Sequence, residues 1–262
     1  MSKSALRILL VNDDGIEAPG LRHLWESLLG LAEVTIVAPV AERSSAGMGI
    51  TSRKPLSLSQ VSWDGNTSAW KVNGTPADCV KLALSAVMRA PPHLILSGIN
   101  RGTNAGRNVL YSGTVGGVIE GVLRGIPGIA LSCSSYQEPN YPIAQPLIPR
   151  LVRYVIDHPL SQGSFLNVNF PSEASPLRGI RLTRQGKSYW IDKIEERQHP
   201  NGDSYYWLGC SALQCVEDLD SDTHLLTQGY VTATPIYVED LTHNETIAQR
   251  SETFSAFFAN TS

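Results

Sequence analysis

A chain of 262 residues, 42% hydrophobic and 17% charged, is long enough to bury a large core, and its net charge of −3 supplies no basic field for a nucleic-acid polymer or an anionic membrane. No apolar run approaches the ~20 residues of a membrane helix, and Met1-Ser2-Lys3-Ser4 leads straight into a first strand, with no room for a signal peptide. Cys79, Cys133, Cys210 and Cys215 show neither a CxxC pair nor zinc spacing, so a reducing, cytoplasmic setting is the expectation, with Cys79 and Cys133 as buried thiols.

The aliphatic run Leu6–Val11 stops at Asn12-Asp13-Asp14-Gly15, the pattern of a buried parallel strand with two carboxylates at its carboxyl end. Two adjacent aspartates repel each other in a desolvated crevice unless a cation lies between them. Asn, Asp and Gly are equally ordinary turn formers, and an Asp before a helix can serve as a simple cap. Leu21, Leu24, Trp25, Leu28 and Leu29 then recur at helical spacing, and Glu33–Pro39 reads as a second buried strand, completing a βαβ unit. A loop rich in small and hydroxyl residues follows, from Val40 to Gly49, and contains Arg43-Ser44-Ser45. Leu56–Val61 and Ala69–Val72 suggest a hairpin around Asp64-Gly65-Asn66.

Thr75 as N-cap, Pro76 at the first helical position and Asp78 in the first turn start a helix expected to run to about Arg89, before Pro91-Pro92. A short strand, His93–Ser97, opens into the loop Ser97-Gly98-Ile99-Asn100-Arg101-Gly102-Thr103-Asn104-Ala105-Gly106. Ser112-Gly113-Thr114 begins a helix through Val115, Val118, Ile119 and Val122, and its N-terminus suits an anion, although a simple cap explains the same residues. Further elements are a strand at Gly128–Ser132, a helix at Pro146–Asp157 and a strand at Phe165–Phe170 with alternating Asn167 and Asn169. Strands are expected at Gly179–Arg184, Tyr205–Leu208 and Tyr230–Val238, separated by polar stretches such as Glu195–Asp203. An amphipathic end carries Ile247, Phe254, Phe257 and Phe258.

If the sheet is parallel, three strands deliver Asp13-Asp14, Arg43-Ser44-Ser45 and Asn100 to one edge. Two carboxylates, a hydroxyl and an amide are hard oxygen donors, suited to one Mg²⁺ or Mn²⁺ per subunit rather than zinc. Water and a phosphate oxygen could take the remaining positions, the requirement of metal-assisted hydrolysis, with Asn12, Asn104, Ser112, Gly113 and Thr114 as candidate substrate or phosphate contacts. The six histidines show no HxH or HExxH spacing, and nucleophile-elbow, Walker and dinucleotide-binding patterns are absent.

These residues carry a resemblance. NDDG at 12–15, APG at 18–20, AP at 38–39, GTPADCV at 74–80, SGIN at 97–100, GTNAG at 102–106 and YSGTV at 111–115 resemble the survival protein E (SurE) family. The likeness continues in order through TRQG at 183–186, YYWL at 205–208, GYV at 229–231, TP at 234–235 and DLT at 240–242. It implies a three-layer, Rossmann-like, doubly wound and mostly parallel α/β sheet with a C-terminal hairpin and helix extension. The expected organisation is one domain over 5–262, with a core to about 172 and an oligomerisation arm from about 173. The implied activity is metal-dependent hydrolysis of nucleoside 5′-monophosphates, and of 3′-monophosphates as a further option. Asp13, Asp14, Ser44 and Asn100 would be the ligands and Asp13 and Asp14 the catalytic carboxylates, with the choice of base left open. The resemblance also implies a homodimer or homotetramer that exchanges C-terminal segments. Where the family usually has Arg-Ser-Gly, this chain has Arg43-Ser44-Ser45, and Ser45 is less free than glycine to take a positive φ. Two rivals stand beside this reading: an aspartyl-phosphate enzyme, for which Asp-x-Asp rather than Asp13-Asp14-Gly15 is expected, and a non-catalytic nucleotide-sensing module using the same crevice.

Overall fold

The computed structural model describes residues 5–171, 177–213 and 215–259, so the core–arm boundary expected near 172–173 lies outside the described residues. Strands β1 (Arg7–Val11), β2 (Glu33–Pro39), β3 (Leu58–Val61), β4 (Ser68–Val72), β5 (Leu94–Arg101), β6 (Gly128–Cys133), β7 (Ser164–Phe170), β8 (Ile180–Leu182) and β11 (Val231–Tyr237) form one sheet. A separate antiparallel hairpin joins β9 (Tyr189–Gln198) to β10 (Ser204–Leu213). The helices are α1 (Pro19–Glu26), α2 (Pro76–Leu82), α3 (Gly113–Val122), α4 (Ile148–Asp157), α5 (Asp222–Thr227) and α6 (Asn244–Ala259).

The sheet order is β3-β4-β2-β1-β5-β6-β7-β11-β8, with β4 through β7 mutually parallel. From β1 the chain winds outward to β2 and β4, then returns to place β5, β6 and β7 on the other side. That reversal makes a switch point between β1 and β5, and in open α/β sheets ligands bind beyond the carboxyl ends of the strands at such a point.

Strand alternation sorts the core into two faces. Ile8 and Leu10 of β1, with Leu94 and Leu96 of β5, pack against Leu21, Leu24 and Trp25 of α1, while Leu151, Val152 and Val155 of α4 cover Leu131, Leu166 and Val168. On the opposite face, Leu9, Val11 and Ile95 meet Cys79 and Val80 of α2, and Val115, Val118 and Val122 of α3 cover Ala130 and Phe165. This is the expected three-layer arrangement. Cys79 and Cys133 are buried free thiols, as their apolar surroundings suggested.

Four local expectations change. The strand β5 continues through Asn100 to Arg101, with an irregularity between Ser97 and Asn100, so SGIN lies within a strand rather than in a loop. The α-helix after Thr75 starts with the expected capping box but ends at Leu82, and Ala83–Val87 forms a wider π turn. Tyr189–Gln198 is a strand where a polar stretch was read from Glu195 on, because a hairpin exposed on both faces shows no apolar alternation. Asp222–Thr227 is an additional short helix capped by Ser221.

Candidate active site

Asp13 and Asp14 follow β1 at the switch point. Asp13 is 4% exposed, and its carboxylate accepts a hydrogen bond from the Thr114 hydroxyl at the start of α3. A Cβ on Gly113 would come within 2.9 Å of Asp13 Cβ and Oδ2, so only glycine allows the first turn of α3 to sit this close. The backbone N–H of Arg43 donates to Asp13 O at 2.7 Å, which fastens the loop after β2 to the same point. One turn further along α3, Gly116 packs against Gly47 of that loop, where a Cβ would meet Gly47 O at 2.1 Å. Asp14 Oδ2 accepts the N–H of Arg101 at 3.2 Å, which brings in the end of β5. Three chain segments therefore converge on the two carboxylates.

Burial pushes the Asp13 carboxyl above its ordinary range, against the opposing hydrogen bonds from the Thr114 hydroxyl and backbone. Burial, then repulsion from Asp13, raises Asp14 to about 7, although the Arg101 N–H and guanidinium favour its charged form. Among the described residues no Lys or Arg side chain forms an ion pair with either aspartate. Two adjacent desolvated carboxylates with no Lys or Arg ion-pair partner among the described residues are hard oxygen donors of the kind a divalent cation takes. Asn100 fits that set: its amide N–H donates to Gly102 O at 2.8 Å, the orientation that leaves its carbonyl oxygen for a cation. Ser44 Oγ donates to Glu42 Oε1 at 2.5 Å, and the neighbouring Ser45 takes a positive φ of 58°.

The candidate phosphate contacts prove more engaged than their spacing suggested. The Asn12 amide closes the turn onto Gly15, donating to its O at 2.8 Å and accepting from its N at 3.3 Å. Ser112 Oγ caps α3 by accepting the N–H of Val115 at 3.1 Å, and Thr114 is turned onto Asp13. Asn104 is buried. It donates to Ser132 Oγ at 2.7 Å, and its backbone is clamped by Asn169 Oδ1 on its N–H and Asn167 Nδ2 on its O, both at 2.9 Å. Phe165, Asn167 and Asn169 share one face of β7, so the alternation noted in the sequence serves to seat the Asn104 loop on the sheet.

Sequence reasoning passed over Glu42, Arg101 and Asp222. The Arg101 guanidinium lies 4.3 Å from the Tyr136 ring centroid, and its Nη2 reaches Glu42 Oε2 at 3.4 Å. Asp222 is fully buried and accepts the N–H groups of Gly106 at 3.1 Å and Gly186 at 2.7 Å, and the Thr234 hydroxyl at 3.3 Å. In the sequence Asp222 is one of four acids in the run Glu217-Asp218-Leu219-Asp220-Ser221-Asp222, which does not distinguish a buried acceptor from surface charges.

Known proteins similar in sequence and in fold point to one family. The Survival protein SurE family profile matches residues 8–192. The 5′-nucleotidase SurE of Protochlamydia amoebophila (strain UWE25) is 49% identical over 253 residues, covering 95% of this chain and 97% of that protein. The 5′-nucleotidase SurE of Syntrophobacter fumaroxidans (strain DSM 10017 / MPOB) is 42% identical over 243 residues, with 92% and 97% covered. The crystal structure of the SurE protein from Aquifex aeolicus aligns with a TM-score of 0.81 and 33% identity, over 95% of this chain and 99% of that one. With matched sequence and shared fold both running across nearly its whole length, the chain belongs to the SurE family.

Proposed function

We propose that this protein is a 5′-nucleotidase that hydrolyses nucleoside 5′-monophosphates to nucleoside and inorganic phosphate. The observation that carries this reading is the pair of adjacent carboxylates at the switch point, Asp13 buried and Asp14 half-buried, held by the start of α3, the loop after β2 and the end of β5. Asp13, Asp14, Ser44 and Asn100 would hold one divalent cation, Mg²⁺ or Mn²⁺. When bound, the cation supplies Lewis-acid polarisation of the phosphoryl group and a lowered pKa for water.

The chain itself supplies position and charge. The Thr114 hydroxyl and the close approach at Gly113 hold Asp13 in one orientation, and the Arg101 N–H does the same for Asp14. In hydrolysis a water oxygen bonds to phosphorus as the ester P–O bond breaks, and the leaving 5′ oxygen takes a proton. The carboxylate of Asp13 or Asp14 accepts the proton of the attacking water, and that proton, returned by the carboxyl group, is the one the leaving 5′ oxygen takes. The second amide N–H of Asn104, beyond the one given to Ser132, is the side-chain donor offered to the phosphoryl oxygens. We read the chain as one SurE-like unit that self-associates through its C-terminal arm, because no residue of α6 is buried in the monomer.

The test is phosphate release from 5′- and 3′-monophosphates in chelator, then with Mg²⁺ or Mn²⁺, beside Asp13→Asn. Cation-dependent release from the 5′ esters, absent in the variant, is the expected result. Nucleotide binding without release under either cation would transfer the reading to a sensing module.

A further inference from the structure

We propose that Glu42 is a positioning residue that orients the Ser44 hydroxyl for the cation and straps the serine loop to the end of β5. The inference rests on the cation-site reading above and concerns a side chain that belongs to no proposed ligand set.

A serine hydroxyl is a weak ligand unless its proton is directed elsewhere, because a freely turning O–H presents hydrogen as often as a lone pair. Ser44 has such an acceptor: its Oγ donates to Glu42 Oε1 at 2.5 Å, which leaves the lone pairs of Oγ for a cation. Glu42 is held in turn by its other oxygen, since Arg101 Nη2 reaches Oε2 at 3.4 Å while stacked on Tyr136 at 4.3 Å from the ring centroid. The backbone N–H of Arg101 is bonded to Asp14 at 3.2 Å, and that of Arg43, beside Glu42, to Asp13 O at 2.7 Å. The contacts run Asp14–Arg101–Glu42–Ser44 and return through Arg43 to Asp13. The loop after β1, the serine loop and the end of β5 thus form one closed ring of bonds, in which, among the described residues, Glu42 links the serine hydroxyl to β5. Outer partners of this kind fix the orientation of inner ligands, and their loss typically weakens metal binding 10–100-fold.

Glu42 also carries a negative charge that would attract a cation from any nearby position. A double-mutant cycle separates the two effects. Mn²⁺ is titrated calorimetrically into chelator-stripped wild type, S44A, E42A and E42A/S44A. Positioning predicts that S44A and E42A each weaken Mn²⁺ binding about tenfold, and that the double variant is no weaker than S44A within about twofold. Because Glu42 is exposed, the thermal midpoint in chelator stays at the wild-type value. An equal loss on removing Glu42 in both backgrounds would mean that it acts through charge alone and would overturn the proposal. E42A binding as wild type while S44A is weakened would overturn it as well, with the ligand reading intact. S44A binding as wild type would remove Ser44 from the ligand set and the proposal with it, and a wild type that does not bind Mn²⁺ would dispose of the cation reading itself.

Discussion

Ser45 occupies φ 58°, and among the described residues it is the only non-glycine with positive φ. A Cβ in that region costs on the order of 1 kcal/mol, part of which glycine gives back through the greater freedom of its unfolded chain. Ser45→Gly should therefore stabilise the protein by up to about 1 kcal/mol without loss of turnover, read as a higher urea midpoint at constant m-value. A lower midpoint would show that the Ser45 side chain contributes contacts beyond its backbone. Asp13→Asn and Asp14→Asn should each lower phosphate release by about a thousandfold or more while leaving the circular dichroism and thermal midpoint at or above wild type, because each relieves the cost of a desolvated carboxylate. The raised Asp14 pKa gives a pH prediction for the cation-free protein. Its carboxyl keeps a proton in the fold up to about 7 but gives it up near 3.8 when unfolded, so the folded state binds more protons between those values. Stability from this site is then greatest at acid pH and falls as pH rises through that window. A divalent cation must displace the same proton, so Mn²⁺ affinity should weaken below pH 7 and binding at pH 6 should release protons, measured by titration in buffers of different ionisation enthalpy. Binding at pH 6 without proton release would contradict the assignment.

At the scale of elements, the loop from Gly102 to Leu110 connects the site to the C-terminal third. Its Asn104 end is seated on β6 and β7, and its Gly106 end is bonded to Asp222, which also holds Gly186 ahead of β9 and Thr234 on β11. Arg107 N–H donates to Ser188 O at 3.0 Å and Trp190 N–H to Asn108 Oδ1 at 2.9 Å, so the base of the hairpin is stitched along the same loop. Each buried N–H left without its acceptor costs about 1–3 kcal/mol. Asp222→Ala orphans the N–H groups of Gly106 and Gly186 together, and a loss of at least about 2 kcal/mol in urea unfolding is expected, with a lower kcat from the loosened Asn104 loop. A variant within 0.5 kcal/mol of wild type, roughly the ordinary effect of a surface substitution, would show that these N–H groups find other partners. The start of α2 was legible because its capping box is a local device: Thr75 Oγ1 accepts the Asp78 N–H at 3.2 Å, and Asp78 Oδ2 accepts the Thr75 N–H at 2.9 Å. The continuation of β5 through Asn100 was not legible, because the glycine and polar residues of SGIN read as a turn and only pairing with β6, Asn100 opposite Ser132, makes them strand.

Across the whole molecule, six parallel strands bury both sheet faces, whereas the β9–β10 hairpin and α6 remain open to solvent. Trp190, Ile194, Tyr206, Trp207 and Leu208 of the hairpin are exposed, as are Ile247, Phe254 and Phe257 of α6. A solvated monomer rarely keeps so many large apolar side chains exposed on two elements. Light scattering should report an assembly larger than 28.4 kDa, and Phe254→Ser with Phe257→Ser should shift it toward the monomer while the near-ultraviolet spectrum of the core is kept; a monomeric wild type would refute the self-association reading. What the sequence determined alone were the features written in local order: apolar strand runs, helix caps, and the family motifs in which Asp13, Asp14, Ser44 and Asn100 stand. Tertiary structure alone decided that Thr114 turns onto Asp13, that Asn167 and Asn169 seat the Asn104 loop, and that Glu42, Arg101 and Asp222 lock distant segments together. The reason is physical. A cap or a strand run is encoded within a few residues, whereas the partner of a buried polar group is set by whichever distant segment the winding of the sheet brings to it.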